Sequence, residues 1–451
     1  MRFDGFASLL TFRAEQTPGA PAFFVAENGE KKPRTYADFR VNVIERAEAL
    51  REERKAAYGI LADGGEDCVT EIFASVIAGR RTVLLNENAP SEVLTELVAE
   101  AEIDSLWGDP ELRAELEPAL VPEAEGGEGK ILFFTSGTTD RSKAVVLTDR
   151  SLMNSAYNGG YLLPLSPEDT LLCMLPLDHV FGFVCGLLWG MSCGAAVALG
   201  RGARHYAEDC MFFRPTALSA VPALLGFLLK YRALNPELGL ILIGAGGCPE
   251  SVLTAAKATG ARVCFGYGLT ETSSGVALSL GEGDPYAMEV CPDDTVTIAP
   301  DGEVLIEAPT CVMQGYWRRP SDTENVLCDG VLYTGDLGSL DAKGKLHLTG
   351  RKKEILVLSD GTKLYLPEYE QALSAALKTD GLCVLLDGDA PVLLLEGSGD
   401  PESVMKTIRP VLDSRPRGQQ IRRVEYYGKP LPRTASGKIM RWAIQRDKEK
   451  A

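Results

Sequence analysis

Histidine is scarce in this chain, and the cysteines lack the spacing that a metal site needs. Three histidines occur in 451 residues, and the eleven cysteines are scattered without a Cys-x-x-Cys pair. Because structural zinc sites take cysteine and histidine ligands at short, regular spacing, the sequence argues against a zinc protein. Cys173, Cys185 and Cys264 lie in apolar runs, which predicts buried free thiols.

Positive charge is also in short supply. The chain carries 46 Lys and Arg against 63 Asp and Glu, a formal net charge of −17. A surface of this kind does not suit nucleic acid or an anionic membrane. Residues 401–451 are the exception, with 13 basic against 5 acidic side chains. This basic piece either faces an anionic partner or is a solvated surface.

From the sequence we predict neither a signal peptide nor a membrane span. Residues 1–6 contain an acid, and no long apolar core follows them. Residues 180–200 are uncharged and numerous enough for a helix to span a membrane, but several glycines interrupt them. Strand and helix patterns of a soluble protein lie on both sides. We therefore expect a cytoplasmic protein with no membrane span and no nucleic-acid partner.

Strands and helices alternate through most of the chain. Residues 58–62 and 81–85 are predicted strands, and a helix is predicted over residues 36–54 between a hairpin and the first of them. From about Asp294 the apolar residues recur at period two between tight turns instead. The sequence predicts an α/β fold, in which wound α/β subdomains precede a small β-rich subdomain and a small α+β C-terminal domain.

A hydroxyl-rich loop stands between two predicted strands at residues 131–147. Hydroxyls, free backbone N–H groups and one ammonium suit a polyphosphate. The loop is not a Walker motif, because no Gly-Lys-Ser/Thr follows and the next element is a strand. An ordinary Ser/Thr turn is the alternative. The residues concerned are Thr135, Ser136, Gly137, Thr138, Thr139 and Lys143.

Three later motifs change the meaning of this loop. They are Gly-Tyr-Gly-Leu-Thr-Glu at 266–271, Tyr-Thr-Gly-Asp at 333–336 followed by Gly-Arg at 350–351, and Pro-Arg-Thr-Ala-Ser-Gly-Lys at 432–438. With the loop, and in this order, they resemble the adenylate-forming superfamily. Its members include acyl-CoA synthetases, the adenylation domains of peptide synthetases, and luciferases. The resemblance extends from about Thr35 to about Arg441.

The resemblance implies an activity and a domain plan. A small carboxylic acid would be joined to AMP at the expense of ATP, with Mg²⁺, and the acyl group would pass to the phosphopantetheine thiol of coenzyme A. Residues 1–350 would form the N-terminal adenylate-forming domain, with the β-rich subdomain at about 290–350. Residues 351–354 would be the hinge, centred on Lys353, and residues 355–451 the C-terminal lid.

Side-chain chemistry gives three of these residues a nucleotide-binding role. Tyr267 can stack on adenine, Thr270 can donate to a phosphate oxygen, and Glu271 can hold magnesium through an oxygen. As an alternative, the Thr-Glu pair is only a helix cap. The resemblance implies the remaining roles: His179 at the acyl group, Gly246 and Gly268 in the nucleotide and substrate pocket, Asp336 at the ribose, Arg351 at the ribose or the phosphate, Gly361 at the thiol tunnel, and Lys438 as the catalytic lysine.

Several of these residues also have ordinary structural explanations. His179 could cap a helix or fill the core, and Asp336 could be a turn residue. Lys438 could be merely exposed after Ser-Gly. Amino-acid-activating relatives usually have an aspartate at the position of His179, so histidine there favours an acid without an α-amine.

The phosphate loop departs from the family pattern. Asp140 replaces a glycine, Ser142 a proline and Ala144 a second glycine, while Asp149 stands where a histidine is common. An aspartate adds negative charge beside phosphate. A non-catalytic nucleotide-binding relative with a degenerate phosphate loop therefore stays open as an alternative. A second alternative is an enzyme that loads a carrier protein. Carrier proteins are usually acidic, and the basic C-terminal piece contains the closely spaced Arg415, Arg417, Arg422 and Arg423.

Overall fold

The computed structural model describes residues 1–121, 129–135, 142–357, 363–387, 390–433, 439–441, 443, 444 and 447. Its mixed helices and sheets confirm the predicted α/β class. The strands are β1 (Pro21–Glu27), β2 (Glu30–Thr35), β3 (Ala57–Leu61), β4 (Arg81–Leu85), β5 (Ser105–Trp107), β6 (Lys130–Phe134), β7 (Ala144–Thr148), β8 (Thr170–Cys173), β9 (Ala196–Leu199), β10 (Ala217–Ala220), β11 (Leu240–Ile243), β12 (Arg262–Leu269), β13 (Ser274–Leu278), β14 (Glu289–Val290), β15 (Thr295–Ile298), β16 (Glu303–Glu307), β17 (Gly315–Tyr316), β18 (Leu327–Cys328), β19 (Val331–Leu340), β20 (Leu346–Arg351), β21 (Ile355–Val357), β22 (Lys363–Tyr365), β23 (Leu382–Asp387), β24 (Ala390–Leu395) and β25 (Arg423–Tyr426).

The helices between these strands include several that are very short. Their bounds follow the predicted pattern closely at the front of the chain, where the helix predicted over residues 36–54 occupies Tyr36–Glu52. The helices are α1 (Phe6–Gln16), α2 (Tyr36–Glu52), α3 (Glu66–Ile77), α4 (Ser91–Glu100), α5 (Pro110–Leu116), α6 (Asp149–Leu162), α7 (Val180–Phe183), α8 (Trp189–Cys193), α9 (Tyr206–Phe213), α10 (Pro222–Lys230), α11 (Glu250–Lys257), α12 (Pro320–Glu324), α13 (Leu366–Leu377) and α14 (Pro401–Asp413).

Two large sheets form the main body. One has nine strands in the order β14-β13-β12-β11-β10-β8-β9-β1-β2, with parallel pairing from β12 to β1. The other has six in the order β17-β7-β6-β4-β3-β5, parallel between β6 and β5. The largest hydrophobic cluster draws on both sheets, for example through Phe23, Ile60 and Phe133, so it joins them into one body.

The β-rich part predicted after Asp294 is present as a five-stranded sheet. Its order is β15-β16-β19-β18, with β20 paired to β19. The C-terminal residues form a two-stranded sheet, β21-β22, and a three-stranded sheet, β23-β24-β25. Two hydrophobic clusters consist of residues from this C-terminal part alone, among them Tyr369, Leu393 and Ile444.

The uncharged run at residues 180–200 is divided between two elements. A helical stretch, π-helical at Val184–Leu188, covers α7 to α8 and stops at Gly194, whose φ is +89°. The chain then enters β9 in the nine-stranded sheet. No helix in the described ranges is both long and apolar enough to span a membrane. Cys173 and Cys264 are buried free thiols as predicted, whereas Cys185 is only half-buried.

One buried carboxyl gives the main body a pH dependence. Asp294 lies beside Asp293, and neither of its carboxyl oxygens has a hydrogen-bond partner among the described residues. Burial, followed by the charge of Asp293, raises the pKa of Asp294 to about 7. The folded protein therefore keeps this proton at pH values where the unfolded chain has lost it, and stability falls as pH rises from about 4 to 7.

We expect Asp294→Asn to raise the melting temperature most at alkaline pH. The amide has no charge to desolvate, so the gain should grow between pH 5 and pH 8, up to at most about 4 kcal/mol of unfolding free energy. Thermal unfolding of wild type and Asp294→Asn across this pH range measures the gain in stability. A gain that is the same at both pH values would show that ionisation of Asp294 is not its cause.

Candidate active site

Two of the motifs predicted from sequence meet at a buried aspartate. Tyr267 Oη donates to Asp336 Oδ2 at 2.8 Å, and Arg351 Nε lies 2.8 Å from Asp336 Oδ1. The aspartate is only 4% exposed. Burial, then the charge of Asp336, raises the pKa of the Tyr267 hydroxyl well above its ordinary value, so the hydroxyl remains a donor.

The local backbone explains why Asp336 reaches this position. Thr334 Oγ1 accepts from the Asp336 N–H at 2.9 Å and donates to the Val304 carbonyl at 2.7 Å. Gly335 adopts a φ of +70°, which favours glycine, and its N–H donates to Glu303 Oε1 at 2.8 Å. β19 and β20 then pair Asp336 with Arg351 across the sheet. The Thr-Gly-Asp motif is thus a bend that directs one carboxylate inward, with arginine opposite it.

The neck of the predicted phosphate loop is closed by three hydrogen bonds. The Thr135 N–H donates to the Lys143 carbonyl at 2.9 Å, and the Lys143 N–H donates to Thr135 Oγ1 at 3.2 Å. Ser142 Oγ donates to the Thr135 carbonyl. Ser142, which departs from the family pattern, therefore contributes to closing the neck. Ser136, Gly137, Thr138 and Thr139 lie outside the described residues, as does Asp140.

Asp149, the other departure in this region, holds the start of the chain. Its Oδ2 accepts from the Phe6 N–H at 2.9 Å, where α1 begins. Burial raises the pKa of this carboxyl, while the N–H donors of Phe6 and Arg150 lower it. Asp149 also opens α6, whose cap is the reciprocal pair of Thr148 and Ser151. Its described contacts are those of a structural residue.

A second cluster forms around Glu271 and includes a residue that the motifs missed. Tyr316 Oη donates to Glu271 Oε1 at 2.7 Å, and Lys143 Nζ lies 4.9 Å from the Tyr316 ring centroid. Lys143 Nζ also lies 3.3 Å from Asp322 Oδ2. The only sequence signal for Tyr316 is an aromatic residue after Gly315, outside every motif that we identified.

The residues around Glu271 fit a magnesium ion that shares its coordination with a phosphate. No described residue donates a hydrogen bond to Oε2 of this carboxylate, and carboxylate oxygens are ligands that Mg²⁺ prefers. Within the described ranges, no group of three or more His, Cys, Asp and Glu side chains could hold a metal by itself. Mg²⁺ is commonly bound by one or two carboxylates together with substrate phosphates and water.

The strand that carries Tyr267 also fixes the backbone leading to Glu271. A Cβ added to Gly268 would lie 1.5 Å from the Ser274 carbonyl oxygen, so only glycine fits there. The pairing of β12 with β13 shifts register at this point. A short 3₁₀ turn, Thr270–Thr272, follows. Thr270 and Glu271 therefore lie directly beyond β12 in a single 3₁₀ turn, and they do not cap a longer helix.

His179 stands between the end of β8 and the start of α7. It is the N-cap residue of α7, and its carbonyl accepts from the Phe183 N–H at 2.9 Å. Its side chain makes no capping hydrogen bond and is 37% exposed, so the ring does not fill the core. Its Nε2 lies 3.9 Å from Oδ2 of the buried Asp178, whose carboxyl has its pKa raised by burial. The ring of Phe181, two residues on, packs so closely on Gly244 that a Cβ there would lie 2.6 Å from it.

Gly246 follows in the turn after β11. A Cβ placed on it would meet nothing within 4 Å, so the neighbouring protein atoms do not require glycine there.

The structure joins Tyr267, Asp336 and Arg351 in one cluster, and Glu271 and Lys143 in another through Tyr316. Thr270 lies in the turn between them. Lys438 and Gly361 lie outside the described residues.

The fold and these two clusters define a protein of the adenylate-forming class. The chain matches the AMP-binding enzyme family over residues 10–317, and it belongs to that family. This confirms the predicted resemblance. The chain is 26% identical to the 2-succinylbenzoate–CoA ligase of Bacillus mycoides over an alignment of 478 positions, which covers 96% of this chain and 97% of the relative. With the ligase of the same name from Listeria innocua, identity is 28% over 78% of each chain.

Solved structures share the fold. The o-succinylbenzoate CoA synthetase MenE from Bacillus subtilis, in complex with the acyl-adenylate intermediate OSB-AMP, has a TM-score of 0.82 at 23% identity and covers 97% of each chain. ATP-bound MatB from Rhodopseudomonas palustris has a TM-score of 0.80 at 20% identity, covering 100% of this chain and 99% of MatB. At these identities the likeness concerns the fold, and it confirms the predicted fold class.

Proposed function

We propose that this protein is an ATP-dependent acid–thiol ligase, which forms an acyl-adenylate and then a thioester with coenzyme A. The observation that carries the proposal is the buried Asp336, contacted by both Tyr267 and Arg351 in a member of the AMP-binding enzyme family. A carboxylate in this position can accept from the two ribose hydroxyls of ATP. Arg351 holds that carboxylate in place and would donate to the same sugar or to a phosphate.

The second cluster would serve the triphosphate. Lys143 supplies positive charge at the neck of the phosphate loop, and Glu271 would hold magnesium through an oxygen. When bound, the magnesium ion neutralises phosphate charge. The acid's carboxylate attacks the α-phosphorus, and pyrophosphate leaves with the bonding electrons. Because the reacting partners are all anions, orientation and fixed positive charge supply most of the catalysis.

We further propose the predicted domain plan, with a hinge at residues 351–354 and a lid from 355 to 451. The separate hydrophobic clusters of the C-terminal part support it. Lys438 would come from the lid to bridge the carboxylate and the α-phosphate, and Gly361 would line the path of the thiol. Lys352 Nζ, in the hinge, lies 2.7 Å from Asp301 Oδ2, a contact that links the hinge to the β-rich sheet.

Coenzyme A is the acceptor that we favour over a carrier protein. The carrier alternative depended on the arginines of residues 401–451. Arg423 is paired with Asp387 and Glu425, and Arg415 lies 4.4 Å above the Tyr369 ring. These contacts leave less free positive charge for an acidic protein surface. Incubation with acyl-AMP and either coenzyme A or a phosphopantetheinylated carrier, followed by mass spectrometry, separates the two.

The first acid to test is 2-succinylbenzoate, because ligases for it are among the relatives. Pyrophosphate release from ATP should be measured with this acid and with a panel of aromatic, aliphatic and amino acids. We expect release with at least one acid lacking an α-amine, and acyl-AMP in the mass spectrum. ATP binding without release for any acid would favour the non-catalytic alternative instead.

The acidic departure in the phosphate loop gives a prediction of its own. Asp140→Gly removes a negative charge from a loop that we propose holds phosphates, so ATP should bind about 3- to 10-fold more tightly. Calorimetry at low and high salt measures the change, which should shrink as salt screens the charge. Unchanged or weaker binding would mean that Asp140 is accommodated away from the phosphates.

A further inference from the structure

A short segment, which we call the bridge (residues 313–323), connects the two halves of the triphosphate site. At one end, the Met313 N–H donates to the Glu271 carbonyl at 2.8 Å. In its middle, β17 pairs antiparallel with β7, which places Tyr316 opposite Val145. β7 begins directly after Lys143. The bridge is therefore fixed by backbone hydrogen bonds both to the turn of Glu271 and to the strand leaving the phosphate loop.

The bridge also fixes the orientation of Tyr316. Its N–H donates to Thr323 Oγ1 at 2.9 Å. Thr323 in turn donates to the Arg319 carbonyl at 3.0 Å, at the start of α12. The tyrosine is 9% exposed, and its hydroxyl donates to Glu271 Oε1 at 2.7 Å. The backbone that carries this hydroxyl is itself hydrogen-bonded to β7 and to the Glu271 carbonyl.

We infer that Tyr316 is a positioning residue, which holds Glu271 for magnesium with its hydroxyl and supports Lys143 with its ring. The inference rests on the proposed function. With Oε1 occupied by the tyrosine at 2.7 Å, the carboxylate keeps one orientation, and its other oxygen serves the metal. Lys143 lies over the same ring, between it and Asp322. One side chain therefore couples the phosphate-loop lysine to the metal ligand.

The two contacts of Tyr316 can be separated by substitution. Tyr316→Phe keeps the ring beneath Lys143 and removes the donor to Glu271. We expect the affinity for ATP in the presence of Mg²⁺ to fall about 10-fold, the size typical for a lost partner of a metal ligand. Affinity for ATP in EDTA should stay within about 2-fold. Tyr316→Leu also removes the ring, so it should weaken ATP binding in EDTA as well.

Calorimetry with ATP, with and without Mg²⁺, is the deciding experiment because it needs no turnover. The magnesium dependence of pyrophosphate release is the second measurement. In Tyr316→Phe, the Mg²⁺ concentration that gives half of the maximal rate should rise by a similar factor, and the rate should recover at high Mg²⁺. The matched control is Tyr58→Phe, since Tyr58 also donates to a buried carboxylate, Glu71, in another part of the sheet. It should leave both measurements unchanged.

The outcomes separate the inference from the proposed function. If Tyr316→Phe loses the same affinity with EDTA as with Mg²⁺, or none at all, Tyr316 does not position the metal ligand. If instead wild type releases no pyrophosphate with any acid while the Mg²⁺-specific loss of ATP affinity appears, the ligase proposal fails and the role of Tyr316 stands. An equal loss in Tyr58→Phe would assign the effect to general destabilisation.

Discussion

Replacing Asp336 by asparagine is expected to weaken ATP binding about 10- to 100-fold. The change keeps the size of the side chain and removes its charge, and a hydrogen bond to a charged group contributes about 1.5–3 kcal/mol. The partners of that charge include the Tyr267 hydroxyl, Arg351 and, as we propose, the ribose. The amide can still accept with its oxygen, so the fold should survive. Calorimetric titration with ATP measures the loss.

An ATP analogue lacking both ribose hydroxyls makes this result specific. Wild type should bind 2′,3′-dideoxy-ATP about as weakly as Asp336→Asn binds ATP, and the variant should hardly distinguish the two nucleotides. Comparing the two proteins with the two nucleotides is a thermodynamic cycle. It separates the contact between the carboxylate and the ribose from other effects of the substitution. The control Asp387→Asn breaks an exposed pair with Arg423 and should not alter ATP affinity. Additive losses would place Asp336 away from the ribose.

The sequence predicted the fold class because both signals it used are local. Two patterns depend only on neighbouring residues: the alternation of strand and helix, and the change to period two after Asp294. The observed sheets agree with both patterns. The motifs likewise carried Tyr267, Asp336 and Arg351, which the fold brings together from positions far apart in the chain. Composition alone would not have paired these residues.

What the sequence did not predict was contact between segments without a motif. Tyr316 reaches Glu271 only because β17 pairs with β7, and a two-residue strand has no pattern by which to recognise it. Asp322 approaches Lys143 through α12, a helix too short to show a helical repeat. Neither could be placed from the sequence, since their positions depend on long-range pairing in the folded chain.

The departures in the phosphate loop illustrate the same limit. Compared with the family pattern, Ser142 and Asp149 suggested a degraded site. In the structure, Ser142 closes the neck of the loop and Asp149 binds the Phe6 N–H. Both substitutions thus have structural partners, which supports a working enzyme over a non-catalytic relative. For Asp140, ATP binding by Asp140→Gly decides whether the aspartate weakens the phosphate site.

Lys438→Ala is expected to slow acyl-adenylate formation by at least about 10²- to 10³-fold while leaving ATP affinity nearly intact. We propose that this ammonium meets the carboxylate and the α-phosphate only as they react, and removing one such group from a transition state costs about that factor. In our proposal, ground-state binding of ATP rests on Asp336, Arg351 and Lys143 instead. Rapid-quench measurement of acyl-AMP, with calorimetry of ATP binding, tests both halves.

The second half-reaction supplies the internal control. Thioester formation from supplied acyl-AMP and coenzyme A should stay within about 3-fold of wild type, because no phosphate is being attacked in that step. Lys429→Ala removes another lysine of the same C-terminal part, which lies 3.0 Å from Asp447, and should leave both half-reactions unchanged. If Lys438→Ala forms acyl-AMP at the wild-type rate, the proposed lid does not deliver the catalytic charge, and another cation must meet the acid at the α-phosphate.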